Sequence, residues 1–285
     1  MIAVTAASGH LGRLVVTGLL DAGVPAAEVV AVVRAPEKVA DLAARGVQVR
    51  RADYTDRAAL ETALAGTDRL YLVSGSEVGQ RAAQHANVVA AAQATGVQLL
   101  SYTSAPKADT STLVLAPEHK ATEELIAAAG IPALVLRHNW YLENYDQQIA
   151  QAAATGALIG SAGEGRVWAA TRADYAAGAV AVLTADDPKP GVYELGGSTP
   201  FTLAELAAEI GRQAGREVTY TDLPTDGHVQ ALVGVGLDEG TAGFVAAIDA
   251  GIAAGGLDTG DQTLAEWIGR PTTSLSEHVR AVLAG

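Results

Sequence analysis

A short glycine-containing loop near the N-terminus has the residue types and the spacing of a phosphate-binding turn. Residues 5–12 read Thr-Ala-Ala-Ser-Gly-His-Leu-Gly, after an apolar run and before apolar residues at helical spacing. Glycines at such a strand-to-helix turn let the backbone approach a pyrophosphate, and the helix N-terminus supplies N–H donors. Two glycines of the dinucleotide fingerprint are present, but Ala6 stands where the first is expected, so we expect a weakened cofactor affinity. The alternative is an ordinary strand-to-helix turn. The predicted cofactor residues of this loop are Ala6, Ala7, Ser8, Gly9, His10, Leu11 and Gly12.

The end of the second predicted strand indicates which dinucleotide would bind. Dinucleotide sites selective for NAD carry an acid at this position, whereas Arg34 suits the 2′-phosphate of NADP. Lys38, one helical turn further along, would add a positive charge. Both residues would also be ordinary on a solvated surface, which is the alternative interpretation.

The carboxyl ends of the third and fourth predicted strands complete this predicted site. Asp53 and Tyr54 follow the third strand and are expected to border the adenine. Ser74, Gly75 and Ser76 follow the fourth strand. Open α/β sheets bind their ligands at this edge, so we include these residues among the cofactor contacts.

The elements that must position these residues alternate between strand and helix. Short apolar runs predict buried parallel strands at 2–5, 29–33, 47–51, 69–73, 98–103 and 133–136. Helical spacing predicts helices at 11–20, 36–44, 56–64, 80–95 and 117–129 between them. This alternation predicts an α/β fold with a doubly wound parallel sheet of the Rossmann type.

The regular alternation of strands and helices ends after residue 150. Turn-rich segments near 155–165 precede a helix at 172–183, a strand at 192–195, a helix at 202–213 and a strand at 218–221. From about residue 226 the sequence favours several short helices. We therefore expect a Rossmann-type domain at 1–150 and a smaller, mostly helical C-terminal cap at 151–285, interleaved with the first domain.

Composition narrows the function classes. The 285 residues are 49% hydrophobic and include no cysteine, which excludes disulfides and thiolate nucleophiles and suits a reducing compartment. The net charge of −13 disfavours nucleic acid and anionic membranes as partners. No secretory signal or membrane-spanning run is visible, so we expect a cytoplasmic protein.

Eight segments along the chain carry a family resemblance: MIAVTAASGHLG, VVAVVRAPEK, RRADYTD, SGSEVGQRAAQHANVV, SYTSAPKADTS, RHNWYLENY, ATRADY and IGRPTTSL. In these segments the sequence closely resembles the bacterial NADPH:quinone oxidoreductases of the NmrA-like group. These proteins are atypical short-chain dehydrogenases, and triphenylmethane dye reductases are close relatives. The resemblance implies that NADPH (NADP) also contacts His138, Asn139 and Trp140 of the R-x-N-W-Y stretch.

The catalytic groups are less clear from the sequence. Ketone-reducing short-chain dehydrogenases use a Tyr-x-x-x-Lys pair, but Ala116 stands four residues before Lys120. Reduction of a quinone depends less on a proton donor from the protein, because hydride transfer gives a stabilised anion that water can protonate. By its distance from Gly-Ile-Pro at 130–132, His119 occupies the place of the catalytic lysine in isoflavone-type reductases. His119 would orient the substrate or donate a proton near neutral pH, or it would only bond a neighbouring loop.

The remaining candidates concern the acceptor and possible metals. Aromatic and flanking side chains after the sixth strand would line the site of a flat substrate, or they would only pack between the two halves of the chain. A lone tryptophan in the turn-rich segment would add to the substrate wall. No histidine and acid cluster has the spacing of a metal site, so we predict no metal. The predicted substrate-binding residues are Tyr141, Leu142, Glu143 and Trp168.

Two functions from different classes remain. The first is an enzyme that transfers hydride from NADPH to a quinone or a similar electron-poor aromatic. The second is a redox-sensing regulator, like the proteins that named the NmrA group, which binds a dinucleotide without turnover. The aromatic stretch favours the enzyme, and a homodimer is plausible for this fold.

Overall fold

The computed structural model describes residues 1–285, which form nine strands and twelve α-helices. The strands are β1 (Ile2–Val4), β2 (Val29–Val33), β3 (Gln48–Arg51), β4 (Arg69–Leu72), β5 (Leu99–Ser104), β6 (Ala133–His138), β7 (Ala157–Gly160), β8 (Gly191–Leu195) and β9 (Thr219–Asp222). The helices are α1 (His10–Asp21), α2 (Ala40–Ala44), α3 (Arg57–Leu64), α4 (Arg81–Ala94), α5 (Ala116–Ala129), α6 (Asp146–Thr155), α7 (Arg172–Thr184), α8 (Leu203–Ala214), α9 (Thr225–Gly234), α10 (Glu239–Ala253), α11 (Thr263–Ile268) and α12 (Leu275–Ala284). None of these helices has the length and apolar character needed to cross a membrane.

A seven-stranded sheet in the order β3-β2-β1-β4-β5-β6-β8 confirms the predicted doubly wound α/β fold. The pairs from β3 through β6 are parallel, with Ile2 of β1 opposite Val29 on one side and Arg69 on the other. All five residues of β2 are buried, as a sheet covered on both faces requires. The strand order reverses at β1 and β4, which places a ligand crevice at the carboxyl ends of these strands.

The chain divides into two compact units, each made of separate segments. Unit 1 comprises Met1–Ala108, Pro117–His138 and Arg172–Tyr193. Its core contains the buried residues of the sheet and helices, among them Val30, Leu70 and Tyr102. The α1 and α7 helices approach closely at Gly18, where an added Cβ would lie 2.9 Å from Val180.

Unit 2 comprises Asp109–Ala116, Asn139–Thr171 and Glu194–Gly285. Its β7 and β9 strands pair in parallel, and α8 begins with a capping box between Thr202 and Glu205. Its core gathers large apolar side chains from several helices, including Ile149, Leu206 and Ile252.

Three details differ from the sequence-based expectations. The α6 helix was not predicted because its sequence has one large apolar residue, Ile149, and the boundary predicted at residue 150 falls inside this helix. The β7 strand was missed because its four residues lie between glycine-containing turns, in a region that the sequence marks as turn-rich. The expectation of only short helices beyond residue 226 was wrong, because α10 runs for 15 residues despite containing Gly240, Gly243 and Gly251.

Candidate cofactor groove and active site

Unit 1 contains a groove of about 280 Å³ at the carboxyl ends of its first four strands. Its walls come from the glycine loop, the ends of β2 and β3, and the loop that follows β4. Twelve of the predicted cofactor residues line it. The lining residues are Ala6, Ser8, Gly9, His10, Leu11, Gly12, Val32, Val33, Arg34, Ala52, Asp53, Tyr54, Val73, Ser74, Gly75, Ser76, Glu77 and Gln84.

The glycine loop is held by close backbone contacts. Ala6 has φ +48°, a left-handed conformation that glycine adopts without strain and alanine does not. The Gly9 N–H donates to the Ala6 carbonyl at 2.9 Å, and a Cβ on Gly12 would lie 2.6 Å from the same oxygen. No side chain caps the N-terminus of α1, which begins at this loop. The turn therefore offers helix N–H groups to a phosphate at the edge of the groove.

Arg34 lies in the groove beside two carboxylates. Its Nη1 is 3.2 Å from Glu77 Oε1, and its Nε is 3.9 Å from Asp53 Oδ2. Asp53 accepts hydrogen bonds from the Thr55 backbone and hydroxyl, which hold the pKa of Asp53 below its usual value. Glu77 Oε2 accepts a hydrogen bond of 2.8 Å from Gln84 Nε2. The Arg34 side chain is 71% exposed, so its guanidinium is accessible to a ligand in the groove.

Tyr54 joins the ends of three strands. Its hydroxyl contacts Thr5 Oγ1 at 2.5 Å and the Val73 carbonyl at 2.8 Å, and burial raises its pKa. The Ser74 N–H donates to Thr103 Oγ1 at 2.8 Å, which fixes the start of the loop after β4. The phenol therefore stays protonated and structural, while the side chain as a whole forms part of the groove wall.

The loop after β4 is fastened to α4 and α5 by buried polar groups. Arg81 Nε donates to the Gly75 carbonyl, and Arg81 Nη1 pairs with Glu118 Oε2, both at 2.9 Å. Glu118 Oε1 accepts from the Gly79 N–H at 2.9 Å. The Gly75 N–H donates to His85 Nε2 at 3.0 Å, so the proton of this neutral imidazole resides on Nδ1. This wall of the groove is therefore built in advance of any ligand.

His119 is buried on α5 beside Tyr102. The Tyr102 hydroxyl and His119 Nδ1 form a hydrogen bond of 2.8 Å. Burial, with the nearby Arg81 charge, lowers the pKa of His119 to about 3, and burial raises the pKa of Tyr102. His119 is therefore neutral near pH 7, which disfavours proton donation among the three roles considered from the sequence and leaves substrate orientation and a purely structural hydrogen bond.

Three predicted cofactor residues of unit 1 lie outside the groove lining. Ala7 is buried behind the loop, and its N–H donates to the Val32 carbonyl at 3.3 Å. Lys38 is exposed, and its carbonyl accepts a hydrogen bond of 2.5 Å from Arg13. His138 is buried against Tyr175, with ring centroids 4.3 Å apart, and its pKa is lowered to about 3 by burial.

The remaining predicted cofactor residues belong to unit 2. Asn139 Nδ2 donates to the Leu257 carbonyl at 3.0 Å and reaches Thr259 Oγ1 at 3.3 Å. Its Oδ1 accepts from the Trp140 N–H at 2.8 Å, and the Trp140 ring packs against the core of unit 2. The Asn139 side chain thus holds the segment after α10 in place.

The predicted substrate residues also lie in unit 2. Tyr141 forms an isolated bridge with Ala170, and Glu143 lies half-buried in the short 3-10 helix that follows. Leu142 is buried and lines a cavity of about 110 Å³ together with residues of the 198–201 and 271–275 segments. The Trp168 Nε1–H donates to Asp258 Oδ1 at 2.7 Å, so its indole has a fixed orientation.

A serine, a histidine and an aspartate meet inside unit 2 but do not form a nucleophilic triad. Ser161 Oγ is 3.0 Å from His228 Nδ1, and Asp249 Oδ2 is 3.4 Å from the same ring nitrogen. A triad places serine and aspartate on opposite nitrogens. Asp249 also accepts from the Ser161 N–H, and burial raises its pKa, so this cluster serves packing.

Sequence reasoning missed two polar residues of the groove, Glu77 and Gln84. Glu77 directly follows the predicted run 74–76, so its position was within reach of the strand-end argument. A carboxylate is not expected beside a phosphate, so the motif itself gives no reason to include Glu77. Gln84 lies on α4 and reaches the groove only through the fold.

Comparisons with known proteins agree with this geometry. Residues 1–249 match the model of the NmrA-like family. The chain is 48% identical to quinone oxidoreductase 2 of Escherichia coli over 279 residues, 98% of this chain and 97% of the relative. The crystal structure of an NADPH-dependent quinone oxidoreductase from E. coli, complexed with NADPH, superposes with a TM-score of 0.96 and covers 99% of this chain and 100% of that one. The triphenylmethane reductase of Citrobacter sp., complexed with NADP(H), is 35% identical with a TM-score of 0.95, over 99% of this chain and 100% of that one.

Proposed function

Because this chain belongs to the NmrA-like family, we propose that it is an NADPH-dependent oxidoreductase that transfers hydride to a quinone or a similar electron-poor aromatic. One observation carries the proposal. The whole-chain likeness to a quinone oxidoreductase coincides with a groove that has both a glycine loop and Arg34. The relatives described above are named as oxidoreductases or reductases, so the regulator without turnover has no comparable support.

The groove suits NADPH on its own evidence. Gly12 approaches the Ala6 carbonyl so closely that the loop leaves no room for a Cβ at this position. The N–H groups at the start of α1 would hold the pyrophosphate, and Arg34 would hold the 2′-phosphate. Asp53, Tyr54 and the 74–76 run would border the rest of the nucleotide.

Bound NADPH supplies a hydride, and the chain's own residues have the task of placing the acceptor. A quinone that takes up a hydride becomes a hydroquinone anion, and water supplies the remaining proton. The absence of a Tyr-x-x-x-Lys pair is therefore compatible with this reaction. His119, neutral and fixed by Tyr102, would orient the acceptor by hydrogen bonding.

We propose that the acceptor contacts Tyr141, Leu142, Glu143 and Trp168. The fixed indole of Trp168 is suited to stacking on a flat ring, and Leu142 provides an apolar surface beside a small cavity. Asn139 and Trp140 are proposed to support the cofactor through their position after β6. We further propose a cytoplasmic homodimer, on the grounds of the missing cysteines and the fold class.

The test combines binding with turnover. NADPH and NADH are titrated separately into the purified protein, 1,4-benzoquinone is added, and the absorbance of the reduced nicotinamide is followed. We expect binding that favours NADPH and quinone-dependent loss of absorbance. Binding without turnover across several quinones would refute the reductase, and no binding would refute the dinucleotide site.

Arg34→Ala tests the cofactor preference. A charge-assisted hydrogen bond contributes about 1.5–3 kcal/mol, so NADPH affinity should fall roughly 10- to 100-fold while NADH affinity changes little. Arg57→Ala is the matched control, because Arg57 is also an exposed arginine paired with a glutamate but lies on α3 outside the groove. Equal losses for the two dinucleotides would contradict the 2′-phosphate assignment.

A further inference from the structure

We propose that Glu77 limits the preference of this chain for NADPH over NADH by competing with the 2′-phosphate for Arg34. The proposal rests on the proposed function only in taking the groove as a dinucleotide site. It adds a specificity-determining residue whose charge opposes the phosphate rather than binding it. The opposing charge is built into the same wall that holds the cofactor.

The first argument is that Arg34, which is proposed to bind the 2′-phosphate, is already paired with carboxylates of the protein. Glu77 Oε1 lies 3.2 Å from Arg34 Nη1, within hydrogen-bond distance. Asp53 Oδ2 lies 3.9 Å from Arg34 Nε on the other side. All three residues line the groove. A 2′-phosphate must therefore displace the Glu77 oxygen or share Arg34 with it.

The second argument is that Glu77 is held in place from behind. Its other oxygen accepts a hydrogen bond of 2.8 Å from Gln84 Nε2, and Gln84 is buried on α4. The loop that carries Glu77 is fastened on both sides, through the Gly75 N–H to His85 and through the Gly79 N–H to Glu118. The carboxylate therefore stays beside Arg34 when a ligand enters.

The third argument concerns the two cofactors. A 2′-phosphate carries nearly two negative charges, so a fixed carboxylate repels it while also occupying a donor of Arg34. The 2′-hydroxyl of NADH is neutral and can donate a hydrogen bond to a carboxylate. Glu77 thus lowers the affinity for the phosphorylated nucleotide and tolerates the other.

The test measures binding with the adenosine halves of the two cofactors, 2′,5′-ADP and 5′-ADP, by calorimetry on the full chain. Glu77→Gln keeps the size of the side chain and one acceptor oxygen, and it removes the charge. Removal of the competing ion pair and of one like-charge contact should raise the affinity for 2′,5′-ADP by about 3- to 10-fold. The affinity for 5′-ADP should change by less than about 2-fold. Glu61→Gln is the control, since it removes the same charge from an exposed Arg–Glu pair outside the groove, and it should change neither affinity.

A double-mutant cycle with Arg34→Ala separates competition from general charge effects. The gain from Glu77→Gln should shrink in the Arg34→Ala background, because the shared partner is gone. An unchanged or weaker affinity for 2′,5′-ADP, an equal gain for both nucleotides, or a gain that persists without Arg34 would each overturn the role of Glu77. Nucleotide binding that behaves as predicted while quinones are not reduced would refute the proposed reaction and leave the role of Glu77 standing.

Discussion

The substitution Gly12→Ala tests whether the glycine loop is as tightly packed as its geometry indicates. An added Cβ would lie 2.6 Å from the Ala6 carbonyl oxygen and 3.0 Å from Ala7 Cα. Both are backbone atoms, so no side chain can rotate away to make room. Ordinary contact begins near 3.4 Å, and α1 and the loop would have to separate by about 0.8 Å at this point.

The size of the effect follows from two opposing contributions. Overpacking of this kind costs about 1–3 kcal/mol, and the better helix propensity of alanine returns up to about 1 kcal/mol. We therefore expect a net loss of about 1–2 kcal/mol in the free energy of unfolding. The same displacement moves the α1 N–H groups away from the pyrophosphate, and the loss of one charge-assisted hydrogen bond lowers NADPH affinity roughly 10- to 100-fold.

Urea denaturation measures the first effect and NADPH titration the second. The matched control is Gly243→Ala in α10, where an added Cβ meets nothing within 4 Å. That variant should gain up to about 1 kcal/mol of stability and bind NADPH as the parent chain does. A Gly12→Ala variant with the stability and affinity of the parent would refute the argument from backbone contact.

Two further predictions concern stability. Alanine at φ +48° destabilises the folded chain by about 1–2 kcal/mol, and Ala6→Gly removes this strain. The glycine also raises the entropy of the unfolded chain, which costs about 0.4–1 kcal/mol of stability. Urea denaturation should therefore show a gain of up to about 1.5 kcal/mol in the free energy of unfolding rather than a loss. Burial lowers the pKa values of His85, His119 and His138 from 6.5 to about 3. At pH values between 6.5 and 3 the unfolded chain therefore binds protons that the folded chain does not. Between pH 7 and 5.5 each of these histidines should therefore reduce the free energy of unfolding by about 1 kcal/mol, and constant stability over that range would contradict the burial argument.

The strands of the sheet could be predicted because each one is marked by a pattern within a short stretch of sequence. Buried parallel strands are short apolar runs, and the β2 run shows this pattern without interruption. Unit 2 was harder to predict, because its elements are defined by contacts between distant residues. Gly251 of α10, for example, discourages a helix prediction, yet it lets α10 pack closely on Leu113, whose Cδ2 would lie 2.7 Å from an added Cβ.

The same distinction applies to the groove. The strand-end argument predicted Arg34, Asp53 and Tyr54, which line it. It could not predict that Arg34 would be paired with Glu77, because that contact joins residues 43 positions apart and places a carboxylate in the wall of the groove. The hydrogen bond between His119 and Tyr102 is likewise a product of the fold.

The replacement of the first motif glycine is explained by the different demands of the two positions. At residue 6 the requirement is a positive φ, and an alanine can adopt it at a cost of about 1–2 kcal/mol. At residue 12 the requirement is the lack of a side chain, because a Cβ would clash with backbone atoms of the loop. The Gly9 N–H, bonded to the Ala6 carbonyl, holds the strained residue in position. Ala6 therefore reduces stability more than it alters the shape of the loop, and the loss of affinity expected from the sequence should be smaller than the loss caused by any side chain at Gly12.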